Sequence, residues 1–266
     1  MALTTHTLHA ATLCPALAPL MGPRFPRTMT CRCWLIETDA GLVLVDTGFG
    51  ANELSERRGL DLVGRISGVD PARTRPILEQ LPALGYRASD VRHIIATHLD
   101  FDHAGGVPDF PHATVHCLAA EHARATGQKT LIDRMRYRSA HLRDHERWAL
   151  YEPEEGGERW FGFEAVRQLQ GLPDGVLLVP LPGHTRGHTC VAVETPHGWQ
   201  LHAGDAYFAS AQLRAPEEAS RGLERMRRVI NVDHALANRN LERLRELERS
   251  AACVQICCAH DPDESG

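Results

Sequence analysis

Eight short apolar runs, each closed by turn residues, recur along the chain at 33 to 38, 41 to 46, 92 to 97, 113 to 118, 176 to 181, 190 to 194, 199 to 203 and 253 to 258. Runs of this length between Gly, Pro and Asp clusters read as strands. Asp39-Ala40-Gly41 marks a hairpin turn between the first two. Helical patterns fill the gaps at Pro71 to Leu84, Leu118 to Ala125, Arg134 to Leu150, Pro216 to Val229 and Asn238 to Glu248. Strands dominate both ends with helices interleaved, which predicts an α+β chain, a sandwich of mixed sheets covered by helices. No repeat or long linker divides the 266 residues, so a single domain over 1–266 is expected, with a helical and loop insertion around 119–165. Glu152 to Glu158 reads as an exposed loop.

Composition excludes several function classes. With 43% hydrophobic and 24% charged residues the chain can bury a full core, so collagen-like and disordered readings fall away. A net charge of -5 gives no general attraction to nucleic acid or anionic lipid, and no run approaches a membrane span. The N-terminus lacks the basic start of a secretory leader and two prolines interrupt its apolar middle, so a cytoplasmic protein is expected. Eight cysteines without paired C-x-x-C elements read as reduced packing residues rather than zinc ribbons or disulfides. Sixteen histidines are the compositional excess that points to chemistry.

Those histidines cluster with aspartates at strand ends. The run HIIAT leads into THLDFDHAGG, where His98, Asp100, Asp102 and His103 place four metal-capable side chains in six positions. Further along, VLLVPLPGHTRGH offers His184 and His188, WQLHAGDAYF offers Asp205, and CVQICCAHDP offers His260. Four strand ends thus each deliver an imidazole or a carboxylate, the types that bind divalent cations.

In order and spacing these motifs resemble those of the metallo-beta-lactamase superfamily, and LVLVDTGFG is similar to its Asp-Thr-Gly loop, with Asp46 behind the site. The match spans about residues 31 to 261. The resemblance implies an αββα four-layer sandwich with two divalent metal ions, zinc foremost, at the strand ends between the sheets. His98, Asp100, His184 and Asp205 would hold the first metal, and Asp102, His103, His260 and the shared Asp205 the second. It further implies a hydroxide between the metals as nucleophile, with Asp102 delivering the proton to the leaving group. Asp46 and His188 are expected to orient ligands rather than bind metal. Tyr207, two residues past Asp205, lies near a tyrosine that contacts the substrate carbonyl in the family's lactonases, where the usual position is one later, here Phe208.

One position departs from the family pattern. Asp100 stands where most family hydrolases have the second His, and its carboxylate moves the site towards harder ions such as manganese or iron. The expected function is hydrolysis of a small ester, lactone or thioester, with a small molecule as the only partner required. The alternatives are a flavodiiron-like iron redox protein without its own flavin domain, suggested by the carboxylate at 100, and a phosphodiesterase. The Arg-rich segment 134–148 reads either as a solvated, partly salt-bridged face or as a helix that binds an acidic substrate or covers the site mouth. Together with Trp160, Phe161 and Phe163 it could instead form a lid or the contact of a homodimer.

Overall fold

The computed structural model describes residues 3–55, 62–138, 142–153, 159–163 and 167–264. Among the described residues eleven strands form two mixed sheets. The first holds β1 (Thr4–Leu13), β2 (Met29–Thr38), β3 (Gly41–Val45), β4 (Val91–Ile95), β5 (Thr114–Leu118) and β6 (Trp148–Tyr151) in chain order, with the β1–β2 and β2–β3 pairs antiparallel and the rest parallel. The second runs β11 (Val254–Cys257), β10 (Gly198–His202), β9 (Thr189–Thr195), β8 (Val176–Pro180) and β7 (Arg167–Gln168), antiparallel except for β10–β11.

Period-two alternation along the strands builds the layers. Trp34, Ile36, Val43, Val45 and Ile95 of the first sheet meet Val176, Leu178, Val191 and Val193 of the second in one core. The intervening residues Cys33, Leu35, Leu42, Leu44 and Ile94 face outward against Ile77, Leu81, Ala125 and Leu223 on helical segments. On the far side Leu177, Val179, Cys190, Ala192 and Leu201 pack on Leu241, Leu244 and Leu247, spaced three apart along helix His234–Ser250. The result is the αββα sandwich. Both faces of the central strands are buried, which is why their sequences are apolar almost throughout.

The eight runs all appear as strands, with bounds moved by no more than four residues. β1, β6 and β7 were not anticipated. Pro71 to Leu84 holds only one α-helical turn, Ile77–Gln80, followed by the 3-10 turn Leu81–Leu84, because Pro76 and Pro82 bracket the helix. The expected helix Arg134 to Leu150 is corrected more sharply. A helix begins earlier and ends at Arg136, as Leu131–Arg136, and Trp148–Tyr151 is an edge strand. Most of the expected loop 152–158 lies outside the described residues. All eight cysteines are free thiols. Among the described residues no helix is long and apolar enough to cross a membrane.

Candidate metal centre

Five strand ends converge at one edge of the sandwich. β3 and β4 run parallel, and so do β10 and β11, while β8 shares their direction through antiparallel β9. Their C-terminal ends lead to Asp46, the 97–106 loop, Asp205, His260 and His184 respectively. Backbone bonds join the two sheets there. Thr189 N–H donates to Thr97 O at 2.9 Å and Thr30 N–H to His260 O at 3.1 Å.

Asp205 splits its carboxylate between two groups of side chains. Its Oδ2 lies 3.4 Å from His184 Nε2 and 3.9 Å from His98 Nε2, and its Oδ1 lies 3.1 Å from both His103 Nε2 and His260 Nε2. Asp100 Oδ2 joins the first group, 3.3 Å from His98 Nε2 and 3.2 Å from His184 Nε2. Asp102 Oδ2 joins the second, 4.0 Å from His103 Nε2 and 3.7 Å from His260 Nε2. The structure therefore brings all seven anticipated ligands together.

The tautomers of the four imidazoles follow from their outer partners. His103 Nδ1–H donates to Asp46 Oδ2 at 2.8 Å, His260 Nδ1–H to Thr30 O at 2.7 Å and His184 Nδ1–H to Asn231 Oδ1 at 3.1 Å. Thr97 Oγ1 donates to Asp46 Oδ2 at 2.8 Å, so it accepts from His98 Nδ1–H at 3.0 Å. Every Nε2 then points inward and is the nitrogen left to give a lone pair to a cation, as a metal ligand must. Consistent with this, His98 Nε2, His103 Nε2 and Asp205 Oδ1 are buried without a hydrogen-bond partner. Such a set is fitted to hold a cation.

Electrostatics agree. Burial lowers His103, yet the Asp205, Asp46 and Asp102 carboxylates outweigh it and hold the imidazole well above its usual range, so this half attracts positive charge strongly. Burial and the Arg136 guanidinium pull His184 down to about 4, which keeps it neutral. Burial pushes the Cys31 thiol well above its ordinary range, with Asp102 adding to the shift. Its Sγ lies within 4.8 Å of ligand atoms of Asp102 and His260, a proximity that its place in a strand did not signal.

The supporting residues act as anticipated in position. Asp46 accepts from Thr97 N–H at 2.8 Å besides Thr97 Oγ1 and His103. His188 donates from Nδ1–H to Leu181 O at 2.9 Å and accepts Asp205 N–H on Nε2 at 3.0 Å, so it holds the backbone of Asp205. Tyr207 is a correction. Its ring is buried in the core on the far side of the second sheet and its hydroxyl donates to Glu264 Oε1 at 3.0 Å, away from the seven anticipated ligands. Phe208 takes the inward place instead, stacked on His260 with centroids 5.2 Å apart.

Three residues went unnoticed in the sequence. Glu121 accepts Leu99 N–H at 3.0 Å and Gly187 N–H at 3.1 Å, tying both ligand-bearing loops to helix Ala119–Gly127. Arg32, 1% exposed, donates to the carbonyls of Cys258, Asp261 and Glu264 and so fixes the segment that carries His260. Arg136 leaves the Arg-rich segment and turns into the site, where its Nε donates to Asp100 Oδ1 at 2.6 Å and Oδ2 at 2.8 Å.

Comparison with known proteins follows the same lines. Residues 27–260 match the sequence profile of the metallo-beta-lactamase superfamily. A probable metallo-hydrolase of Mycobacterium tuberculosis is 39% identical over 244 residues, covering 90% of this chain and 77% of the relative. An N-acyl homoserine lactonase of Bacillus thuringiensis is 27% identical over 213 residues, with 76% of each chain covered. Among solved structures, an N-acyl homoserine lactone hydrolase with N-hexanoyl-L-homoserine bound at its catalytic metal centre superposes with a TM-score of 0.71 at 22% identity, covering 99% of this chain and 95% of that one.

Proposed function

The chain belongs to the metallo-beta-lactamase superfamily, and we propose that it is a metal-dependent hydrolase that opens a small lactone, with small esters and thioesters as related substrates. The observation that carries this reading is the inward convergence of four imidazole lone pairs on a carboxylate shared between two groups of ligands. Similarity to a protein named as a lactonase supports the choice of a cyclic ester. Imidazole and carboxylate ligands suit zinc, which is the metal proposed. His103, His260, Asp102 and Asp205 would hold it in one half of the site, and His98, Asp100 and His184 are the candidates in the other. A divalent ion bound there supplies Lewis acidity and lowers the pKa of water.

The chain's own groups supply the rest. Asp102 has the most exposed side chain of the three site aspartates, at 14%, and so can pass a proton to a leaving alkoxide at the mouth. Phe208, stacked on His260 and edge-on to His184, screens both imidazoles from water and offers an apolar wall to substrate. The iron redox alternative rested on a carboxylate at 100 free to bind metal, whereas both oxygens of Asp100 accept hydrogen bonds from Arg136.

A panel of lactones, esters, thioesters and phosphodiesters offered to zinc-loaded protein tests the proposal. Lactone opening should vanish with a chelator, return with zinc, and fall about 100-fold or more in Asp102→Asn. Metal-loaded protein that opens no lactone, ester or thioester sinks the reading.

A further inference from the structure

The half of the site formed by His98, Asp100 and His184 already contains a cation. Arg136 Nε bridges the two oxygens of Asp100, Nη2–H donates to His184 Nε2 at 2.6 Å, and Nη1 donates to His184 O at 3.3 Å and Ile230 O at 2.9 Å. Its side chain is 10% exposed. The lone pair that His184 would give to a metal is thereby engaged by a donor.

The local structure holds the guanidinium in place. Helix Leu131–Arg136 starts at a reciprocal cap between Thr130 and Asp133, and Asp133 is fixed in turn by Arg124 at 2.8 Å, so the last helical residue projects from a braced turn. Asp100 precedes helix Phe101–Ala104, where an aspartate ordinarily caps the exposed N–H groups. Its side chain makes no such bond and turns to Arg136 instead. Charge bookkeeping explains the pairing. An aspartate in place of a neutral histidine adds one negative charge, and one arginine removes it, with both oxygens matched by a planar donor. By contrast, the half formed by Asp102, His103, Asp205 and His260 has no side-chain cation among its described contacts, and its His103 Nε2 and Asp205 Oδ1 lack partners, whereas in the first half His98 Nε2 lacks one but Asp100 and His184 are both engaged by Arg136.

We propose that the Arg136 guanidinium occupies the first half of the centre, so that the chain takes one divalent ion, in the half formed by Asp102, His103, Asp205 and His260. This rests on the metal-binding reading above and replaces the two ions implied by the family resemblance. A second ion beside a fixed guanidinium would meet like charge and a ligand nitrogen whose lone pair is already used.

Metal counting tests this without reference to turnover. Full-length protein is equilibrated with zinc, freed of excess, and analysed for zinc per chain by elemental analysis, with titration calorimetry in parallel. One equivalent is expected for the wild type and for Arg134→Ala on the exposed face of the same helix. Arg136→Ala should rise to two, because Asp100 and His184 are then released to join His98. In the otherwise native chain His184→Ala should stay at one, and His260→Ala should fall below one. Two equivalents in the wild type, or one in folded Arg136→Ala, overturns the inference and leaves the hydrolase reading standing. No uptake at all defeats both.

Discussion

A histidine that never touches the ligand atoms decides where the shared carboxylate sits. Burial holds His188 well below the usual imidazole range, with the neighbouring His98 adding to the shift, so the ring is neutral and its Nε2 is free to accept Asp205 N–H. The next residue back, Gly204, makes that approach feasible. Its φ is +51°, and a Cβ there would lie 2.7 Å from His188 Nε2. His188→Ala should therefore leave every ligand in the chain yet weaken zinc affinity about 10- to 100-fold, as loss of a partner that orients a ligand does. Competition with a chromophoric chelator measures it, and His197→Ala on the exposed surface should match the wild type. Equal affinities for His188→Ala and wild type would show that Asp205 is placed without it. The neighbouring pair Tyr207 and Phe208 illustrates how fine this scale is, since a shift of one position decides which ring meets the ligands and which is buried against Glu264.

Helix Ala119–Gly127 links the two loops that the ligands share. Through one buried carboxylate, Glu121 receives the backbone of Leu99 from the first loop and of Gly187 from the second. Gly187 approaches so closely that a Cβ there would lie 2.5 Å from Glu121 N, which forces glycine at that position. Glu121→Ala strands two buried donors at about 1–3 kcal/mol each, a loss that should appear as a lower denaturant midpoint at unchanged slope. A midpoint equal to the wild type would mean that water or another group satisfies both. Much at this level was legible in the sequence. The runs from β2 to β5 and β8 to β11 are apolar enough to stand out, and the ligands follow them at turns. β1 gives a weak signal in the sequence, because Thr and His are mixed with Leu and Ala along it. The segment after Thr130 misled for a different reason. Its Arg, Tyr and Leu spacing continues a helical pattern beyond Arg136, but Arg136 is held by Asp100 and by the carbonyl of Ile230, partners 36 and 94 residues away. No local pattern encodes such contacts.

At the scale of the whole molecule, acid and metal should act on stability in opposite senses. His116 lies inside the first sheet, bonded to His93 at 2.9 Å and Tyr151 Oη at 2.8 Å, and burial, with His93 adding to it, lowers it to about 4. The unfolded chain takes up a proton near 6.5 that the folded chain refuses until about 4. Stability from this group is thus complete above 6.5 and is lost as pH falls towards 4, by on the order of 3 kcal/mol. The fall in denaturant midpoint across that window should be shallower in His116→Gln, and parallel curves would refute the assignment. Metal works the other way. His98 and His103 come from the first sheet, and His184, Asp205 and His260 from the second, so an ion held by both sets cross-links the sandwich at the edge where the sheets otherwise meet through a few backbone bonds. Unfolding scatters these ligands, so binding free energy becomes folding free energy. Zinc at 100 times its dissociation constant adds about 2.7 kcal/mol, and each kcal/mol moves the midpoint of a chain this size by about 2–4 °C. A rise in Tm of about 5–10 °C over chelator-treated protein is expected. His260→Ala, which takes away one of the second sheet's ligands beside Asp205, should lose most of that rise. Identical melting with zinc and with chelator would show that the centre does not join the sheets.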